Sequence, residues 1–136
     1  MVKTFKEQIM SQTQPSPLLL AYLGDSVMEV LIRERLIERK DTDSARCNRE
    51  ALEFVTAAKQ SAAAKRIREL FTPEEEELFS RAKNAKSNSN PRNVDLYSYR
   101  LATALEAVFG YHHIRGEKER NAELLRLCYP QLFEEC

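Results

Sequence analysis

One segment constrains the fold more than any other. From Leu18 to about Arg39 the chain reads LLLAYLGDSVMEVLIRERLIER, preceded by Ser16-Pro17. Serine is a good helix N-cap and proline fits the first helical position, so a single long helix is expected here. Its first half is apolar on every side. Such a helix must lie at the centre of a bundle, where all of its faces are covered.

The rest of the chain reads the same way. Asp41 to Ser44 break the first helix, and Asp43 or Ser44 can cap the next, an alanine-rich segment from about Ala45 to Leu70 with a turn near Gln60-Ser61. Thr72-Pro73-Glu74-Glu75 is a capping box that starts a short acidic helix. Ala85 to Asn93 (AKSNSNPRN) is the one stretch of low hydrophobicity and reads as a loop. Helices from about Leu96 to His112 and Glu117 to Cys128 follow, separated by Gly116 and stopped by Pro130. No segment alternates with strand period, and three glycines with no tryptophan suit helices. The expectation is an all-α helical bundle, residues 1–136 as one domain.

Charge and cysteine exclude some classes. With 21 basic and 21 acidic side chains there is no uniformly basic coat, although local patches remain open. Cys47, Cys128 and Cys136 form no CxxC pair, so zinc ribbons and disulfide frameworks are unsupported and free thiols are expected. Met1 to Met10 mix charged and apolar residues unlike a signal peptide, and the apolar run Leu18 to Leu23 is too short for a bilayer. A soluble, cytoplasmic protein is expected, with no membrane contact.

Two carboxylates sit where burial disfavours them. Asp25 follows Gly24 in the first helix, and Glu106 lies in LATALEAVFGY. Asp25 shares a stripe with Glu29; Glu106 shares one with Tyr99, Thr103 and Gly110. Gly24 and Gly110 permit close backbone approach, so two helices crossing there can bring both acids to one hard cation, a site suited to magnesium. By spacing alone, ion pairs with arginines such as Arg33 or Arg100 explain the acids better than a cation does.

Leu23-Gly24-Asp25-Ser26-Val27 resembles the LGD(A/S)V core of the ribonuclease III signature, and Tyr99 to Tyr111 resembles that family's second acidic helix. Arg81-Ala82-Lys83-Asn84-Ala85-Lys86-Ser87 looks like the RNAKS loop of its Mini-III branch. The resemblance runs from about Pro17 to Tyr111. It implies a ribonuclease III-like homodimer that cuts double-stranded RNA with magnesium held by Asp25 and Glu106 in each subunit. It further implies a role in maturing the 23S ribosomal RNA precursor, with ribosomal proteins or an assembling ribosomal subunit as partners. The wider family's two upstream glutamates are here Leu18 and Ala21, and its aspartate before the second glutamate is Thr103. The Mini-III branch shares this reduction. Glu29 is expected to serve in an ion pair rather than in catalysis.

The chain leaves no room for an appended RNA-binding domain, so this domain is expected to hold RNA itself. Arg81, Lys83, Asn84, Lys86 and Arg92 are the candidate RNA-binding residues, in a loop suited to phosphate and 2′-hydroxyl contacts. Lys59, Lys65, Arg66 and Arg68 form a second basic group, equally open to being a solvated face. His112 and His113 point in different directions on a helix and read as polar residues at its C-terminal end. The alternatives are a non-catalytic RNA-binding or ribosome-associated module of the same fold, and a protein-interaction domain without RNA.

Overall fold

The computed structural model describes residues 14–39, 44–85 and 95–134. Helix α1 (Pro17–Glu38) starts where the Ser16 hydroxyl accepts the Leu19 N–H at 3.3 Å, with Pro17 in the first turn. Its Leu20, Met28, Ile32 and Leu36 are fully buried.

The alanine-rich segment divides differently from expectation. Helices α2 (Ser44–Phe54) and α3 (Ala57–Ile67) are separated at Val55-Thr56, not near Gln60-Ser61. The Thr56 hydroxyl accepts the Lys59 N–H at 3.2 Å and so restarts the helix. Gln60 and Ser61 lie inside α3 and are buried; the Gln60 amide donates to Met28 Sδ at 3.9 Å. A 3-10 turn (Arg68–Leu70) leads to α4 (Pro73–Asn84), whose capping box forms as expected. That helix ends at Asn84, so Ala85 is where the expected loop begins; residues 86–94, like the expected break at 41–43, lie outside the described residues.

Helix α5 (Leu96–Arg115) is capped by Asp95, which accepts the Ser98 N–H at 2.8 Å. It runs one turn beyond His112, until Gly116 adopts the left-handed conformation (φ 75°) that terminates it. Helix α6 (Lys118–Cys128) and a last 3-10 turn (Pro130–Phe133) complete the chain. Every regular element among the described residues is helical, and none of these helices is long and apolar enough to cross a membrane.

α5, rather than α1 as expected, is the centre of the bundle, packed by α1, α3 and α4, whereas α1 leaves Leu19, Tyr22, Val30 and Ile37 exposed. Its contact with α1 is the tightest. A methyl group on Gly24 would overlap the Glu106 carbonyl and lie 3.0 Å from the Gly110 nitrogen. One on Gly110 would overlap the Leu20 carbonyl and lie 3.1 Å from the Gly24 nitrogen. Partners run backward along α5 as residues advance along α1, so the helices are antiparallel and touch main chain to main chain. Only glycine permits this approach.

The C-terminal turn closes the other end. Tyr129 is buried and donates its hydroxyl to the Phe54 carbonyl at 2.8 Å. Arg35 donates to the Leu132 carbonyl at 3.2 Å. The Phe133 ring lies between the guanidinium groups of Arg35 and Arg126, at 4.8 and 5.0 Å. These contacts tie α1, α2 and α6 together through the last turn.

Candidate active site

The glycine crossing places Asp25, next to Gly24, beside Glu106, whose own carbonyl meets Gly24. Asp25 lies at the exposed rim, while Glu106 is half-buried beneath it. Burial, together with a hydrogen bond to Asp25 and its charge, pushes the Glu106 carboxyl up to about 9. At neutral pH without a cation, Glu106 therefore keeps its proton and donates a hydrogen bond to Asp25. Ion pairs among the described residues include neither acid, and Arg33 and Arg100 take part in none. Pairing with those arginines is thus not what holds the two carboxyl groups. Glu29 forms no ion pair there either, contrary to expectation. No third acidic, histidine or cysteine side chain joins Asp25 and Glu106 in a metal-sized group among the described residues.

The donor set fits a hard divalent cation. Two carboxyl groups pressed together without a basic partner need either a shared proton or a cation. Carboxylate oxygens are the ligands magnesium takes, and a set this small leaves the remaining positions to water.

The expected RNA-binding residues divide. Arg81, Lys83 and Asn84 occupy the last turn of α4 rather than a loop; Lys86 and Arg92 lie outside the described residues. Within the second basic group, Arg66 donates to the Cys128 carbonyl at 2.5 Å. Arg68 grips the Glu76 carboxylate with bonds of 2.7 and 3.0 Å and covers the Phe79 ring. Those two arginines serve the fold, leaving Lys59 and Lys65 at the surface.

Sequence reasoning missed a buried ionic cluster. His112 Nε2 donates to Glu75 Oε2 at 2.5 Å, and Arg120 donates to both Glu75 oxygens at 2.9 and 2.7 Å. Glu75 Oε1 also accepts the Thr72 N–H, as its capping box requires. Burial alone would raise the Glu75 carboxyl; bonds from Arg120, the Thr72 backbone and His112 outweigh it and hold it down at about 2. The capping box signalled Glu75, but nothing in the sequence linked it to His112. As expected, the two histidines diverge: His112 is buried and His113 exposed.

The fold and the carboxyl pair on crossed helices define a ribonuclease III domain, and that family's model matches residues 18–117. Among curated relatives, Mini-ribonuclease 3 of Thermoanaerobacter sp. (strain X514) is 38% identical over 88% of this chain and 84% of the relative. Mini-ribonuclease 3 of Clostridium tetani is 38% identical over 90% and 81%. A crystal structure of a Fusobacterium nucleatum protein superposes with a TM-score of 0.77 at 28% identity, covering 88% of this chain and 95% of that one. The chain belongs to the Mini-ribonuclease 3 family of ribonuclease III enzymes, and is an endoribonuclease of that type.

Proposed function

We propose that the protein is a magnesium-dependent endonuclease of double-stranded RNA whose catalytic residues are Asp25 and Glu106. The observation that carries this reading is the carboxyl pair itself: two acids joined at a glycine crossing, with no basic partner among the described residues. Asp25 and Glu106 would hold the metal, which when bound supplies Lewis-acid activation of water and of the scissile phosphate. Glu106 gives up its proton on loading. Asp25, at the rim, stands between the buried carboxyl and the incoming backbone. Hydrolysis leaves a 5′-phosphate and a 3′-hydroxyl.

The same reading includes a homodimer. Leu19, Tyr22, Val30 and Ile37 follow one face of α1 and are 61%, 81%, 53% and 70% exposed. An apolar stripe of this kind on the outer side of α1 needs a cover, and a second α1 supplies one. Two copies then present two sites, one for each strand of a duplex. Arg81, Lys83, Asn84, Lys86 and Arg92 contact the RNA backbone, and the physiological substrate is the 23S ribosomal RNA precursor in the cytoplasm. Incubating labelled duplex RNA with magnesium and with EDTA tests the activity. Cleavage of the duplex with magnesium alone is expected; equal cleavage in EDTA overturns the metal assignment.

A further inference from the structure

We infer that Lys65 and Tyr97 form a further contact point for the RNA backbone, continuous with Lys83, an inference that rests on the double-stranded-RNA reading above. Tyr97, in the first turn of α5, is 54% exposed, and Lys65 Nζ stands 5.4 Å from its ring centroid. Neither side chain is in the core.

Their neighbours place them. Lys65 stands over Tyr97, Arg68 follows Lys65 by three residues and holds Glu76, and Lys83 follows Glu76 by two turns on the same side of α4. Lys65, Tyr97, Arg68, Glu76 and Lys83 are therefore linked one to the next across the junction of α3, α4 and α5. Two basic stretches remote in sequence converge there.

The charges on this face are not equally available. Glu76 cancels Arg68 through a bidentate contact, Nε to Oε2 at 3.1 Å and Nη2 to Oε1 at 2.7 Å. Asp95 lies near Lys65, but it is engaged in capping α5 through the Ser98 N–H. Lys65 and Lys83 remain as cations for phosphate. The ring beneath Lys65 restricts its rotamers, so less side-chain entropy is lost when it meets a ligand. The Tyr97 hydroxyl adds a donor for phosphate or ribose oxygen, the groups that an A-form duplex presents. Among the described residues, Leu96 beside Tyr97 adds apolar area at 47% exposed, which is little for a protein partner.

The test is the affinity of a blunt RNA duplex in EDTA, where nothing is cut, across about 50 to 200 mM salt. Lys65→Ala should lower the salt slope by about one charge, shrinking the affinity loss across that range about fourfold. Tyr97→Ala should weaken binding, Tyr97→Phe should keep the parental slope, and Lys65→Ala with Tyr97→Ala should be less than additive. Thermal melts of these surface variants should match the parent. Parental affinity and slope in Lys65→Ala and Tyr97→Ala overturn the inference and leave the face to a protein partner. A parent that binds no duplex RNA overturns both this inference and the reading beneath it; a parent that binds while the variants are unchanged overturns this inference alone.

Discussion

His112 Nε2 and Glu75 Oε2 lie 2.5 Å apart in the interior, joining the C-terminal half of α5 to the first turn of α4. Arg120 of α6 completes the contact from the other side. Glu75→Gln removes the charge that both partners face in the interior, leaving Arg120 with only Glu123 and His112 with only Glu117 as acidic partners. A loss of about 3 kcal/mol is expected in urea denaturation, near the low end for a broken buried pair. The pH dependence has a definite sign. The folded Glu75 carboxyl is depressed from 4.5 to about 2, so its stabilisation is complete above pH 4.5 and disappears as pH falls toward 2. The parent should lose stability in that acid window, and Glu75→Gln should lose less.

Glu106 predicts the opposite slope. Its folded value of about 9 lies above the ordinary 4.5, so its own contribution to metal-free stability is complete below pH 4.5 and is lost as pH rises toward 9. Melting temperatures in EDTA should fall across that range for the parent and stay flatter for Glu106→Gln. Calorimetry in buffers of different ionisation enthalpy should detect a proton released when magnesium binds at pH 7. No release and no difference in pH profile would remove Glu106 from the metal site.

Asp25→Asn and Glu106→Gln should each abolish cleavage while helicity and duplex binding stay near parental values. Each keeps side-chain volume and removes a ligand charge. Single-turnover rates at saturating magnesium check this, and near-parental cutting by either variant would clear that residue of a catalytic role.

Ile37→Glu should convert a dimer to monomers. Ile37 is 70% exposed on the stripe assigned to the partner subunit, and a glutamate there faces its own copy or the apolar surface beside it. Sedimentation at micromolar concentration distinguishes the states. A monomeric parent with full duplex-cutting activity would contradict the assignment.

Gly24→Ala should cost about 3 kcal/mol, because the added methyl meets backbone rather than a movable side chain. Gly116→Ala, strained only by its positive φ, should cost about 1 kcal/mol. Chemical denaturation of the two variants compares them directly.

What the sequence made legible followed local rules. The apolar run of α1, the caps at Ser16 and Thr72 and the stop at Gly116 each depend on neighbours a few residues away. The carboxyl pair was legible because Gly24 and Gly110 each stand beside or near an acid in an apolar helix. The break at Val55-Thr56 was harder to see: threonine capped a helix inside an alanine-rich stretch where every residue also tolerated helix. Arg68 and Arg66 looked like a basic surface because their partners, Glu76 and the Cys128 carbonyl, come from other elements. The Glu75–His112–Arg120 contact was invisible for the same reason, since only the packing of three helices brings it together.

The glycine crossing also governs how freely this chain can drift. Spacing between packed helices usually depends on the side chains between them, so exchanging a leucine for a valine shifts both axes. Here main-chain atoms set the separation at the one level where it matters, like a mechanical stop. The apolar residues above and below can then vary in size while the gap between the two carboxyl-bearing turns stays constant. Tolerance in the interior and precision at the acids are therefore compatible, provided that both glycines remain.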